Sequence, residues 1–229
     1  METGAQDTTR ESRDPGRRRR RTRWILVSIG AAAAAGIAAA AVWMHVSAPT
    51  LQGAVVTPPA PVSDFTLLDQ DRRPIRLSQF RGRAVALTFL YTHCPDVCPL
   101  IATRMHEAYL QLGNAAGRAA FIAVSVDPAG DTPGAVREFL AIHHLERELH
   151  YLSGSFAELR PVWANYYVGT DARGAAPRAA GGPAGAPVDH TAIVYVIDPR
   201  GRLRVFLPGN FESRDLALDL KILASDAAR

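Results

Sequence analysis

Cys94 and Cys98 are the only two cysteines in the chain, and they stand with three residues between them in the stretch TFLYTHCPDVCP at positions 88–99. Two thiolates this close can do two things: close a disulfide, or hold a soft metal ion. A bridge spanning three residues constrains almost no chain entropy, so a purely structural disulfide gains little here. The pair falls where an apolar run ends and a helical pattern begins. Pro99 suits the first helical position, where its missing N–H costs nothing, and that places Cys98 at the N-cap. A helix N-terminus favours anions and lowers a thiol's pKa, so the position favours thiolates.

Further ligands can come from the seven histidines. His93 directly precedes Cys94, and adjacent side chains in an extended chain diverge, which makes it a poor partner for the same metal. His106, His143, His144 and His150 fall on helix faces or loops and read as solvated, and His45 ends the N-terminal apolar segment. His190 follows a long loop, opens a strand and has Asp189 beside it. Spacing alone leaves its ligand role open. Residues 127–133 read as a turn and helix start, with Asp131 or Thr132 as the cap.

The elements that must position these residues alternate. Residues 65–68 and 75–77, joined by a turn over 69–73, predict a β-hairpin. Residues 84–91 (AVALTFLY) form a continuous apolar run of strand length, the mark of a strand buried on both faces. Ile101, Met105, Ala108 and Leu112 then recur at helical spacing. A second buried strand covers 120–126, Thr132 opens a helix carrying Val136, Phe139 and Leu140, and a third strand lies near 150–152. A helix through Phe156, Leu159 and Trp163 follows. The end reads as a strand over 191–197, a turn over 198–201, a strand over 202–207 and a closing helix. Strands alternating with helices and finished by a hairpin predict an α/β fold with a mixed sheet. Residues 169–188, rich in Ala, Gly and Pro, read as a solvated insertion.

The N-terminus sets the compartment. The formal charge of +4 is carried entirely by residues 1–23, where eight Arg face four acids. The remainder is neutral and lacks the basic face that nucleic-acid binding needs, so no nucleic-acid partner is expected. Residues 24–46 carry no charge, and at ~1.5 Å per residue they give roughly 35 Å of helix, enough for a hydrocarbon core of about 30 Å. The Arg run on their N-terminal side predicts a single-pass anchor with a cytoplasmic N-terminus and everything after Val46 on the far, periplasmic side of the cell (inner) membrane. A cleaved signal peptide is the competing reading, but such apolar regions run about 7–15 residues, and Pro49 would follow the cut. A mitochondrial presequence fits worse, since Glu2, Asp7, Glu11 and Asp14 are acidic. The uncharged, Pro-rich residues 47–62 read as a tether, with the folded domain over 63–229.

Three separated motifs carry a resemblance: TFLYTHCPDVCP, SVDPAGDTP at 125–133 and VDHTAIVYVIDPRGRL at 188–203. In that order they resemble the Sco/SenC family. The resemblance implies a thioredoxin-like fold and copper bound by both cysteines and by the His of the Asp-His-Ser/Thr motif, here Cys94, Cys98 and His190. It implies metal delivery, not catalysis: assembly of the dinuclear copper centre of cytochrome c oxidase, with that subunit and other copper carriers or thiol reductases as partners. The chemistry is coherent, because two thiolates and an imidazole make a soft site suited to Cu(I) and also able to hold Cu(II). Zinc competes for such ligands, but closed zinc sites normally take four. One rival is a thiol–disulfide oxidoreductase using the same pair, although thioredoxin-type redox proteins space their cysteines by two residues. Residues 64–82 also resemble the opening of a peroxiredoxin. That family places a Thr three residues before its reactive Cys, and here Thr92 is two before Cys94. A surface-anchored interaction module would leave the Cys/Cys/His set unexplained.

Overall fold

The computed structural model describes residues 29, 30, 32–38, 50–168 and 192–226. The chain divides into two compact units, Met1–Pro49 and Thr50–Arg229. In the first, residues 29, 30 and 32–38 are helical. Most of the expected span over 24–46 lies outside the described residues, and among those described no helix is long and apolar enough to cross a membrane.

The second unit is built on a six-stranded sheet in the order β1-β8-β7-β4-β5-β6. Its strands are β1 (Ala54–Pro61), β4 (Ala84–Leu90), β5 (Ala119–Ser125), β6 (Leu149–Leu152), β7 (Ile193–Ile197) and β8 (Arg202–Pro208), and a separate hairpin joins β2 (Thr66–Leu68) to β3 (Pro74–Arg76). β4, β5 and β6 run parallel, while β7 is antiparallel to β4 and β8 to β7. Every residue of β4 and β5 is buried, as their unbroken apolar runs require of central strands. Among the described residues the α-helices of the unit are α1 (Val97–Leu112), α2 (Pro133–Ile142), α3 (Phe156–Asn165) and α4 (Ser213–Asp226). Ile101, Ala102, Met105, Ala108 and Leu112 line the buried face of α1, which packs against α4.

Part of the tether expected over 47–62 is a strand instead. Residues 54–61 are the edge strand β1, paired with β8 at Ala54, Val55, Ala60 and Pro61. The register breaks between Val55 and Ala60, and Pro58 and Pro59 fall in that break, where no ladder needs their missing N–H groups. The folded unit therefore begins near Thr50. The strand expected over 191–197 begins at Ile193.

Candidate metal centre

β4 is the element that aims the site. Its last paired residue, Leu90, matches Ser125 of β5, whereas its antiparallel partner β7 stops at Thr88. The chain then leaves the sheet and turns tightly, the Cys94 amide donating to the Tyr91 carbonyl at 3.3 Å. α1 begins at Val97 with Asp96 as its N-cap, so Cys98 is the second helical residue and not the cap. Pro99 is third, still within the first turn, where an amide has no intrahelical acceptor and a proline costs little.

Asp96 makes no side-chain cap hydrogen bond. Instead the Cys98 amide points at Cys94 Sγ, 3.5 Å away. Both cysteines are thiols in this structure. Cys94 keeps a rim of exposure at 8 %, while Cys98 is fully buried at 0 % beside the apolar face of α1. Their acidities diverge accordingly. Burial pushes the Cys94 thiol up, but hydrogen bonds from the Asp96 and Cys98 amides and from the Cys98 and Tyr91 side chains outweigh it, and the net shift is below the ordinary thiol value. Cys98 is held well above the ordinary range, chiefly by burial, with Cys94 and Asp131 nearby adding to it. Of the pair, the outermost sulfur is the more readily ionised and the sealed one the less. A soft metal requires both as thiolates; thiol–disulfide exchange requires one attacking thiolate and one leaving thiol.

Of the remaining expected ligands, His190 and its neighbour Asp189 lie outside the described residues. His93 Nδ1 pairs with Thr92 Oγ1 at 3.0 Å. His106 meets Glu148 at 2.9 Å, and His143 meets Thr103 at 3.3 Å. Among the described residues no three His, Cys, Asp or Glu side chains are grouped as a metal site.

Sequence reasoning missed one buried group beside the cysteines. Thr132 caps α2, its hydroxyl accepting from the Ala135 amide at 3.2 Å. Asp131 turns inward instead, only 4 % exposed. It accepts from the Thr92 amide (2.7 Å), the Ser125 hydroxyl (2.6 Å) and the Tyr151 hydroxyl (2.8 Å). The available signal was redundancy: Thr132-Pro133 suffices to start the helix, which leaves the adjacent Asp without a local task.

A parallel βαβ core with an antiparallel β7-β8 hairpin, bearing two cysteines between a central strand's carboxyl end and the helix that follows, defines the class as a thioredoxin-like protein with a Cys-x₃-Cys site. The family model described as SCO1/SenC matches residues 56–225, and the chain belongs to that family. It is 28 % identical over 156 residues to protein sco1 of Schizosaccharomyces pombe, which covers 67 % of this chain and 57 % of that protein. The chain spans about half the length of the curated relatives it matches. Among solved structures, apo Sco1 from Thermus thermophilus aligns with a TM-score of 0.63 at 31 % identity, over 78 % of this chain and 99 % of that one. The copper-bound ScoI of Bradyrhizobium japonicum aligns with a TM-score of 0.60 at 30 % identity, over 72 % and 99 %.

Proposed function

We propose that this chain carries copper as cargo and delivers it for assembly of the dinuclear copper centre of cytochrome c oxidase, with Cys94, Cys98 and His190 as its ligands. In this reading residues 24–46 anchor it to the membrane and the Thr50–Arg229 unit works on the extracytoplasmic side. The observation that carries the proposal is the sulfur pair itself: two thiols at the mouth of a central strand, with the Cys98 amide aimed at Cys94 Sγ at 3.5 Å. Soft, paired sulfur donors match Cu(I) better than any hard cation. A Sco relative of 30 % identity was solved with copper bound, which supports the same cargo here. Three ligands leave an open coordination position, the feature that handing metal to a partner requires. Loading must displace the Cys98 proton, so uptake releases protons and weakens as pH falls.

A second reading draws on the same asymmetry. Cys94, acidic and outermost, is suited to attack a partner disulfide, and Cys98 to resolve the mixed disulfide; the partner gains two electrons and this pair is oxidised. His190→Ala separates the two readings. Copper delivery predicts strongly weakened copper binding, near-normal oxidation of Cys94 to Cys98, and failure to support oxidase copper-centre assembly in cells. If the variant still supports assembly while Cys94→Ser does not, the reductase reading replaces the chaperone reading.

A further inference from the structure

Beyond Leu90 the chain leaves the sheet: the Tyr91 carbonyl takes the Cys94 amide at 3.3 Å, and the Thr92 amide between them reaches a buried carboxylate. The Thr92 amide lies past the last ladder pair, Leu90 with Ser125, and donates to Asp131 Oδ1 at 2.7 Å. The other carboxylate oxygen takes the Ser125 hydroxyl from β5 at 2.6 Å and the Tyr151 hydroxyl from β6 at 2.8 Å. Tyr151 also reaches the Leu90 carbonyl at 3.2 Å, and Trp163 Nε1 donates to the Ser125 carbonyl at 2.9 Å. Asp131 is itself held by a closed turn, its amide donating to the Asp127 carbonyl at 2.8 Å and the Gly130 amide to Asp127 Oδ1 at 3.1 Å. A single carboxylate thus ties together the carboxyl ends of three parallel strands and the segment two residues before Cys94. Buried hydrogen bonds to a carboxylate are short and strong, and they fix geometry more tightly than an exposed loop can.

We propose that Asp131 is a positioning residue for the Cys94–Cys98 pair, fixing the exit of β4 through the Thr92 amide so that both sulfurs are presented together. This rests on the reading that the pair is the working site. Asp131 touches no cargo; it acts through Thr92. An open cleft of about 430 Å³ is lined by Asp131 and Tyr151, so water can reach the gap a shorter side chain leaves.

The test uses the full chain in detergent, reduced, with two readouts: hydrogen exchange at the Thr92 amide, and Cu(I) affinity by competition with a chromophoric chelator. Asp131→Ala should speed Thr92 exchange and weaken Cu(I) binding, each by about tenfold or more. Asp131→Asn keeps an acceptor for the Thr92 amide and should restore affinity to within about threefold of wild type. Val162→Ala, a buried α3 change with no hydrogen bond to lose, should lower stability and leave both readouts unmoved. If Asp131→Ala does not fold, Asp131→Ser takes its place, retaining a hydroxyl for its neighbours while falling short of Thr92. Wild-type affinity in the Ala or Ser variant overturns the positioning role, as does loss in Val162→Ala matching the loss in Asp131→Ala. Wild-type affinity in Cys94→Ser overturns the underlying reading of the site instead.

Discussion

The starts of α2 and α3 and the start of α1 solve the same problem differently. At α2 the Thr132 hydroxyl takes the Ala135 amide at 3.2 Å, and at α3 the Ser155 hydroxyl takes the Glu158 amide at 3.3 Å while the Glu158 carboxylate reaches back to the Ser155 amide at 2.8 Å. Those caps satisfy orphan amides with oxygen and contribute about 1 kcal/mol each. At α1 the cap residue contributes no side-chain bond, and a first-turn amide is offered to the Cys94 sulfur. Sulfur is the weaker acceptor, so α1 gives up capping stability there and is held by its buried face of Ile101, Ala102, Met105, Ala108 and Leu112. The contrast is local: at the starts of α2 and α3 a hydroxyl takes a first-turn amide, and at the start of α1 a cysteine sulfur takes it.

The contrast is broken most sharply by thiol reactivity. Iodoacetamide should modify Cys94 faster than Cys98 in the native reduced protein by about a hundredfold, and should do so below the pH at which an ordinary thiol reacts. Peptide mapping after timed quenching measures the ratio. Equal labelling would mean that the amide pointing at Cys94 Sγ does not set its acidity.

A buried acid that makes no hydrogen bond to the cysteine segment should respond in stability alone. Asp219 on α4 is fully buried, accepts from the Gln52 amide at 2.7 Å, and is pushed up to about 6 by burial, with Asp215 adding to the effect. A carboxyl raised in the folded state favours the protonated form, so its stabilising effect is complete below the unfolded value of 3.8 and is lost as pH rises through about 6. Asp219→Asn should therefore raise stability by about 2 kcal/mol at pH 7 and by almost nothing near pH 4. Denaturant midpoints at the two pH values check this, and Cys94 labelling should not change.

The smallest effects belong to the two oxygen caps. Thr132→Ala and Ser155→Ala should each cost about 1 kcal/mol of stability, read as a shifted urea midpoint, with copper affinity untouched. A cap variant that changed copper affinity would show that these helix starts are coupled to the site.

Much of this was legible in the sequence, for stated physical reasons. β4 and β5 announce themselves because strands covered on both faces are apolar at every position, and the Thr132-Pro133 start carries its own cap and its own fixed backbone angle. β1 was not legible. AVVTPPAP has the composition of an extended tether, and only pairing with β8, a partner distant in sequence, makes it a strand. Pro99 marks the beginning of α1 without fixing which residue begins it, because proline is tolerated throughout a first turn. Asp131 stayed hidden because its bonds run to residues far along the chain, Thr92 and Tyr151, and no local pattern encodes them. The cysteine pair was readable from its place between strand and helix, whereas the difference in acidity between its members arises from burial that only the packed fold supplies.

The central claim is that the sulfur pair holds copper as cargo. Its most direct test is the copper content of the full chain, purified reduced and without air, loaded with Cu(I) and freed of excess by gel filtration. One copper per chain is expected for the wild type, and none should survive the column in Cys94→Ser or in Cys98→Ser. Full retention of copper by either variant would contradict the site.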